Sequence, residues 1–375
     1  MAKSRARPQS RANAARKGVA KKIVDSASDI RDGILKRKKP SIHIPVRSLS
    51  NVRYTPKKGY FELKGNKKTR TLTVNTVKSF AQTLRMVEFS KQLIDTADIA
   101  TKREAYYVSK NWDVARFKEQ PESDTVMDDV EAMYEVNREQ LGFIPEEHGG
   151  SVAGKLVVID REQGSGRPLR IDCARFGSGA YTVPSSVEDL GFETHAKFIL
   201  AIETAGAFQR LVKQDFWRAT NCILIAMGGV PTRACRRFIR RLSDACRLPV
   251  YVFCDCDPYG FCNIYRTLKV GSGNAGHINK YFCVPKARFL GVTMEDVEEY
   301  DLPTHPLLDR DKKRAHDALK NDPFVKHYKA WQAELQKMIR MGVRAEQQAF
   351  AKFGLPFVTE EYLPKKLRRP EKFLP

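Results

Sequence analysis

The sequence predicts an α/β protein with two folded parts behind a basic N-terminal arm. Of its 375 residues, 42% are hydrophobic, which is enough to bury real cores and excludes wholesale disorder. Apolar strand-like runs alternate with helical segments in the second half of the chain, a pattern typical of a parallel sheet. Lys and Arg number 66 against 44 Asp and Glu, a net charge of +22, which favours a polyanionic partner such as nucleic acid.

The N-terminal region differs in composition from the rest of the chain. Residues 1–40 are rich in Ala, Arg, Lys and Ser, which predicts a flexible basic arm that could strengthen DNA binding without sequence preference. Ser41–Val74 alternates short apolar stretches with Gly- and Lys-rich turns, which predicts small antiparallel strands.

A helical period begins after these strands. Apolar residues between Val77 and Leu93 recur at helical spacing. A second helix should begin near Thr101, where Thr101 and Glu104 have the spacing of a capping box, and a third should cover Asp124–Gln140. Helices combined with a short β element predict an N-terminal β segment plus a winged-helix (CAP-like) domain over residues 41–150.

The remaining residues, 151–375, predict an α/β domain with C-terminal helices. The predicted strands are Leu156–Ile159, Phe198–Ile202, Cys222–Met227 and Pro249–Cys254. The predicted helices are Ala207–Lys213, Thr232–Cys246 and two within Asp309–Phe353. Reactive groups should gather at the carboxyl ends of the parallel strands.

Several functional classes are disfavoured by the sequence. No apolar run approaches the roughly 20 residues of a membrane helix. The eight cysteines include no CxxC pair, which disfavours a disulfide scaffold or structural zinc and favours an intracellular location: cytoplasm or nucleoid in a prokaryote, nucleus in a eukaryote. Segments 149–156 and 271–276 resemble nucleotide-binding glycine loops but lack the required strand and helix context, so we interpret both as turns and expect no ATP site in this chain.

Three acidic residues follow two of the predicted buried strands. Glu203 ends the first strand, and Asp255 and Asp257 follow the other in an extended Asp-Cys-Asp segment, where alternate side chains point the same way. If the two strands are parallel neighbours, the three carboxylates meet at one sheet edge and repel unless a cation neutralises them. Oxygen ligands favour Mg²⁺, with Mn²⁺ as an alternative. The alternative is a helix-capping Asp and a solvated loop, which a lone Asp-x-Asp pair would favour; the strand-ending Glu203 favours the metal site.

A Tyr-Tyr pair lies on the second predicted helix. Arg103 and Tyr107 are four residues apart and share a face if Thr101 caps that helix. A tyrosine is a weak nucleophile unless it is activated, and a nearby guanidinium could stabilise charge on an attacked phosphate. The spacing alone fits ordinary helix packing better than a catalytic tyrosine.

Three ordered motifs together resemble the A subunit family of DNA topoisomerase VI. They are Thr101–Trp112, Phe198–Leu211 and Val250–Gly260, and flanking segments such as Ala345–Ala349 agree as well. The related meiotic double-strand-break transesterase shares the core motifs, but the longer match favours the topoisomerase.

The resemblance implies a role for each matching residue. Tyr107 matches the nucleophile and Arg103 the arginine that precedes it, while Glu203, Asp255 and Asp257 match the metal-binding acids of a Toprim domain. It also implies an A-subunit homodimer within an A2B2 heterotetramer, in which a B-type subunit supplies the ATPase and double-stranded DNA is cut through 5′-phosphotyrosyl links for ATP-dependent strand passage.

Other interpretations stay open on the sequence alone. The chain could be a transesterase that breaks DNA without strand passage, a metal-dependent nuclease, or a DNA-binding Toprim protein lacking activity. A row of arginines at spacings of three and four could line a duplex channel or form a solvated basic face. These candidate DNA contacts are Arg233, Arg236, Arg237 and Arg240.

Overall fold

The computed structural model describes residues 8–144, 149–162 and 165–375, with side chains from residue 16 onward. The chain forms a mixed α/β structure and separates into two compact units. The first comprises residues 1–52, 63–146 and 273–278, and the second comprises residues 53–62, 147–272 and 279–375. No helix in the described ranges is both long and apolar enough to cross a membrane.

The first unit is mainly helical. Its helices are α1 (Pro8–Leu35), α2 (Val77–Thr96), α3 (Lys102–Val108) and α4 (Gln120–Tyr134). Strand β1 (Ser41–Pro45) pairs antiparallel with β4 (Lys67–Thr71), and β5 (Ala100–Thr101) pairs with β6 (Phe143–Ile144). Between β1 and β4 along the chain, β2 (Val52–Thr55) and β3 (Tyr60–Leu63) pair with each other and belong almost entirely to the second unit. The predicted short strands and the helix after Val77 are therefore confirmed, whereas α4 begins and ends earlier than predicted.

The prediction of a flexible arm over residues 1–40 is wrong for Pro8–Leu35, which form α1. Val19 and Ile23 are buried in the core of the first unit, and the Ser26 and Tyr134 hydroxyls hydrogen-bond at 2.7 Å. Val19 and Ile23 lie four residues apart on one face of α1, and Ile30 packs against a second apolar cluster, so packing stabilises this helix. The first seven residues of the predicted arm lie outside the described residues.

The second unit is built on a six-stranded sheet with the order β10-β7-β13-β12-β14-β15. Its parallel strands are β12 (Phe198–Ile202), β13 (Cys222–Ala226), β14 (Val250–Phe253) and β15 (Arg288–Gly291). Strands β7 (Ser151–Gly154) and β10 (Tyr181–Thr182) extend the sheet in antiparallel pairing. The expected parallel sheet is confirmed, and all residues of β12 and β13 are buried.

Two predictions for this region are wrong. The glycine-rich segment 149–156 is not a turn, because its Ser151–Gly154 portion is strand β7 beside β13. Gly150 has a positive φ of 93°, and a Cβ there would lie 2.1 Å from the Ala226 carbonyl oxygen, so glycine allows this close approach. The strand predicted at Leu156–Ile159 is β8 (Val157–Arg161), which lies in a separate antiparallel sheet with β9 (Pro168–Asp172) and β11 (Gly191–Glu193). Segment 271–276 does form a turn with a short 3-10 helix.

Helices cover and follow the large sheet. They are α5 (Ala205–Lys213), α6 (Phe216–Thr220), α7 (Arg233–Cys246), α8 (Arg266–Lys269), α9 (Asn279–Phe282), α10 (Met294–Glu299), α11 (Asp309–Asn321), α12 (Pro323–His327), α13 (Lys329–Met341) and α14 (Leu363–Leu367). The C-terminal region thus contains three α-helices and a 3-10 helix within Asp309–Phe353 instead of the predicted two helices. After α13, β17 (Val343–Arg344) pairs with β16 (His305–Pro306).

Candidate functional site

The carboxyl edge of the large sheet brings the three predicted acids together. Strands β12 and β14 are parallel neighbours, with Ile202 opposite Phe253, so the residues that follow them emerge side by side. Glu203 is 8% exposed, and its Oε2 accepts a hydrogen bond of 2.9 Å from the Asp255 backbone N–H. Because Glu203 and Asp255 follow two paired parallel strands, the strand pairing itself brings the glutamate against the aspartate segment.

Backbone donors hold the two aspartates in place. The Gln347 N–H donates to Asp255 Oδ1 at 2.8 Å, and the Gly260 N–H donates to Asp257 Oδ1 at 2.6 Å. A Cβ at position 260 would lie 2.6 Å from the Asp255 carbonyl oxygen, so only glycine fits this turn without displacement. The aspartate carboxylates are thus oriented by the fold before any ligand arrives.

A C-terminal segment forms a further wall of this acidic edge. Cys256 and Ala345 exchange backbone hydrogen bonds of 2.8 and 3.1 Å, so residues 343–347 run antiparallel to the aspartate segment. The buried Gln347 side chain donates to the Phe253 carbonyl at 2.9 Å and accepts from the Thr204 hydroxyl at 3.1 Å. Sequence reasoning assigned no role to Gln347, and its only signal was the position of Ala345–Ala349 in a resembling motif.

The acidic edge carries an excess of negative charge. Burial, with the nearby Asp255 carboxylate, raises the pKa of Glu203 to about 8. Burial also raises the pKa of Asp255 to about 6, and the Asp257 carboxylate adds to this rise. Burial likewise raises the pKa of Asp257. The Arg344 guanidinium lowers the pKa of both aspartates, but it does not offset the effect of burial. Its nearest nitrogen lies 4.0 Å from an Asp257 oxygen. Such a cluster favours binding of a further cation.

The donor set fits magnesium or manganese better than zinc, because all three side chains offer carboxylate oxygens. Within the described ranges, no group of three or more His, Cys, Asp and Glu side chains is arranged to hold a metal ion. Mg²⁺ does not require such a cage, because it keeps several waters and binds through one or two carboxylates plus substrate phosphates. Glu203, Asp255 and Asp257 are therefore compatible with an open metal site that substrate phosphates would complete.

The two cysteines beside the acids are poorly reactive. Cys254 and Cys256 are fully buried, and burial raises the pKa of both thiols well above the ordinary value, with neighbouring carboxylates adding to the rise. Because the thiolate is the reactive form, both side chains should resist oxidation while the protein is folded.

The tyrosine pair lies on α3 in the first unit. The predicted capping box is confirmed: the Thr101 hydroxyl accepts from the Glu104 N–H at 3.1 Å, and Glu104 Oε2 accepts from the Thr101 N–H at 2.7 Å. Ala105 is completely buried and fixes the inner face of the helix. Arg103 and Tyr107 are both exposed and lie one helical turn apart.

The two tyrosines differ in their surroundings. The Tyr106 hydroxyl donates to the Lys118 carbonyl at 3.1 Å, and the Lys110 ammonium lies 4.1 Å from the centre of the Tyr106 ring. Tyr107 is 57% exposed. Tyr106 is thus engaged in packing, whereas Tyr107 is accessible to a macromolecular substrate.

The structure does not place the four candidate arginines of α7 on one solvated face. Arg236 is 7% exposed. The guanidinium groups of Arg233 and Arg236 both lie over the Phe282 ring, at 5.9 and 5.8 Å from its centre. Arg237 forms a two-point ion pair with Glu188 at 2.6 and 2.8 Å. Arg240 donates to the Cys283 carbonyl at 2.8 Å and pairs with Asp244. Their contact with DNA stays a prediction, but the described residues of α7 form no continuous basic stripe.

Three family models match consecutive parts of the chain between residues 78 and 367. Residues 78–143 match a model described as type IIB DNA topoisomerase. Residues 146–196 match one described as an all-beta domain in the DNA topoisomerase VI alpha subunit. Residues 198–367 match one described as the Toprim domain of the topoisomerase 6 A subunit and Spo11.

Individual relatives share one description, the A subunit of type 2 DNA topoisomerase 6. The protein of Methanocaldococcus jannaschii is 53% identical over 94% of this chain and 95% of its own length. That of Methanothermobacter thermautotrophicus is 36% identical over 91% of this chain and 95% of its own. The protein of Natronomonas pharaonis is 35% identical over 92% of this chain and 94% of its own length.

Proposed function

Because the chain belongs to the family of type 2 DNA topoisomerase 6 A subunits, we propose that it is the DNA-cleaving and rejoining subunit of a type IIB topoisomerase. The observation that carries the proposal is the acidic edge, where Glu203, Asp255 and Asp257 meet on a Toprim domain. Exposed Tyr107 supplies the second chemical component.

Tyr107 is the proposed nucleophile. Its hydroxyl oxygen attacks a backbone phosphorus in line, so a phosphorus–oxygen bond forms to the tyrosine while the bond to the 3′ oxygen breaks. The tyrosine proton passes to solvent or a nearby base, and the departing 3′ oxygen takes up a proton. The 5′-phosphotyrosyl link keeps the bond energy for resealing. Arg103, one turn away, is positioned to stabilise charge on the attacked phosphate.

The acidic edge is the proposed metal site. Glu203, Asp255 and Asp257 would hold Mg²⁺, or alternatively Mn²⁺, which when bound stabilises negative charge on phosphoryl oxygens. The backbone N–H groups of Gln347 and Gly260 orient the aspartates for this task. The raised pKa of Glu203 implies that metal binding at neutral pH displaces a proton from this cluster.

The proposed assembly has two kinds of protein chain. The relatives are described as A subunits, which implies a separate B subunit. We assign ATP binding and hydrolysis to that second chain. We further propose an A-subunit homodimer within an A2B2 complex acting on double-stranded DNA in the cell interior, with a tyrosine of one protomer serving the metal site of the other. The helices α2 to α4 with their short strands would form the winged-helix domain that carries Tyr107.

Relaxation of supercoiled DNA tests this function. The chain is combined with a B-type ATPase partner, Mg²⁺ and ATP, and topoisomers are separated on a gel. ATP-dependent relaxation without lasting breaks supports strand passage. Protein-linked breaks without relaxation would instead favour the break-forming transesterase. DNA that is bound but neither cut nor relaxed would favour a binding protein without activity.

A further inference from the structure

Backbone pairing at Arg344 and at the next residue, Ala345, holds Arg344 beside the acidic edge. It is the last residue of β17, where it lies opposite His305, and Ala345 after it bridges to Cys256. This double anchoring holds the base of the side chain next to Asp257. Arg344 is thus part of the wall that also supplies the Gln347 N–H to Asp255.

The Arg344 guanidinium is held near a carboxylate without closing on it. Its Nη1 lies 4.0 Å from Asp257 Oδ2, whereas the two-point pair of Arg237 with Glu188 in the same unit has distances of 2.6 and 2.8 Å. The Nε atom of Arg344 is buried and has no hydrogen-bond partner among the described residues. A buried unsatisfied donor is costly, and a guanidinium offers five donors. Arg344 therefore retains capacity for another acceptor.

The surroundings determine what that acceptor can be. The Arg344 side chain is 25% exposed, so the guanidinium can be reached from outside. Asp257 already accepts the Gly260 N–H and faces a further carboxylate, Asp311, which Arg314 pairs at 3.4 Å. An incoming anion needs a positive group at this otherwise acidic edge, and the planar fork of arginine matches two phosphate oxygens.

We propose that Arg344 is a phosphate-binding residue of the acidic edge, whose guanidinium donates to a non-bridging oxygen of a DNA phosphodiester. This inference rests on the proposed function, because that function makes DNA the ligand. It adds a protein cation to a site otherwise composed of carboxylates and metal. It also gives DNA a contact at this edge when metal is absent.

The test is equilibrium binding of duplex DNA by the full-length chain in EDTA, in a Tyr107→Phe background so that no cleavage intervenes. Affinity is measured between about 50 and 200 mM salt for the background chain and for Arg344→Ala, Arg344→Gln and Arg340→Ala. Arg340 is exposed on α13 four residues earlier, so its replacement is a matched loss of one positive charge. Arg344→Gln keeps most of the side-chain stem if the alanine variant folds poorly.

Both Arg344 variants should flatten the slope of log affinity against log salt by about 0.9 for each Arg344 that contacts DNA. Their dissociation constants should rise about fivefold, as for the loss of one net hydrogen bond. Arg340→Ala should keep the slope of the background chain. A further variant measured in the same way, Arg344→Lys, should restore the slope lost in Arg344→Ala.

An unchanged slope in both Arg344 variants, or an equal change in Arg340→Ala, would overturn the proposal. A background chain that binds no duplex would overturn it as well. Covalent capture with Tyr107 intact separates this failure from failure of the proposed function. Capture that persists while the Arg344 slopes are unchanged rejects Arg344 alone, and absence of capture rejects the function.

Discussion

Replacing Glu203 by glutamine should stabilise the metal-free protein at alkaline pH. Burial and the neighbouring aspartates raise the pKa of Glu203 from 4.5 to about 8, so the folded chain retains a proton that the unfolded chain releases. Each pH unit between these values corresponds to about 1.4 kcal/mol. Keeping Glu203 ionised above pH 8 therefore costs up to about 5 kcal/mol, a cost that the neutral glutamine does not carry.

The sign of the pH dependence follows from the raised pKa. Below pH 4.5 Glu203 is protonated in both states, and its contribution to stability is fully present. That contribution is lost as the pH rises from 4.5 through about 8, because only the unfolded chain then gives up its proton freely. Thermal melts in EDTA at pH 5 and pH 8 should show a growing advantage for Glu203→Gln, on the order of 10 °C at the higher pH.

Glu188 provides a matched control with the opposite sign. The Arg237 guanidinium holds the pKa of Glu188 below its ordinary value despite partial burial, so its contribution to stability is present at neutral pH and is lost on acidification. Glu188→Gln should therefore lower the melting temperature at pH 8. A difference between Glu203→Gln and the parent chain that is the same at pH 5 and pH 8 would refute the reasoning about the acidic edge.

Further substitutions test the supports of the two sites by thermal melting. Gln347→Ala removes one buried and one partly buried hydrogen bond and should cost about 1–3 kcal/mol, whereas Gln348→Ala, at an exposed position, should cost almost nothing. Equal losses would contradict the role given to Gln347. Ile23→Ala should cost roughly 2–5 kcal/mol because α1 packs into the core, while the half-exposed Val24→Ala should stay near the parent value; matching small effects would contradict that packing. Thr101→Ala should cost about 1 kcal/mol and reduce covalent capture through a frayed α3, and Thr101→Ser should retain the cap.

The acidic edge could be predicted because its determinants are local. Two short, continuous apolar runs rich in β-branched and aromatic residues favour buried strands, and parallel neighbours carry the residues after them to one edge. Glu203 and Asp255 therefore met as expected. The capping box at Thr101 could also be predicted, because it is defined by two residues three positions apart, Thr101 and Glu104.

The remaining features depend on long-range contacts that no local pattern encodes. Residues Pro8–Leu35 have the composition of a solvated arm, but Val19, Ile23 and Ile30 pack against partners far along the chain and make this segment a packed helix. Gln347 and Arg344 reach the acidic edge about 90 residues after Asp255, through a single backbone bridge at Ala345. Their spacing in the sequence carries no sign of that contact.

Covalent capture on DNA tests most directly whether Tyr107 acts as the nucleophile together with the acidic edge. The chain is mixed with a B-type ATPase, Mg²⁺, an ATP analogue and end-labelled duplex, then quenched with denaturant. The parent chain and Tyr106→Phe should be recovered covalently on 5′ ends, while Tyr107→Phe and Asp255→Asn should give none. Protein still attached to DNA in Tyr107→Phe, or free DNA ends that persist in that variant, would contradict this role for Tyr107.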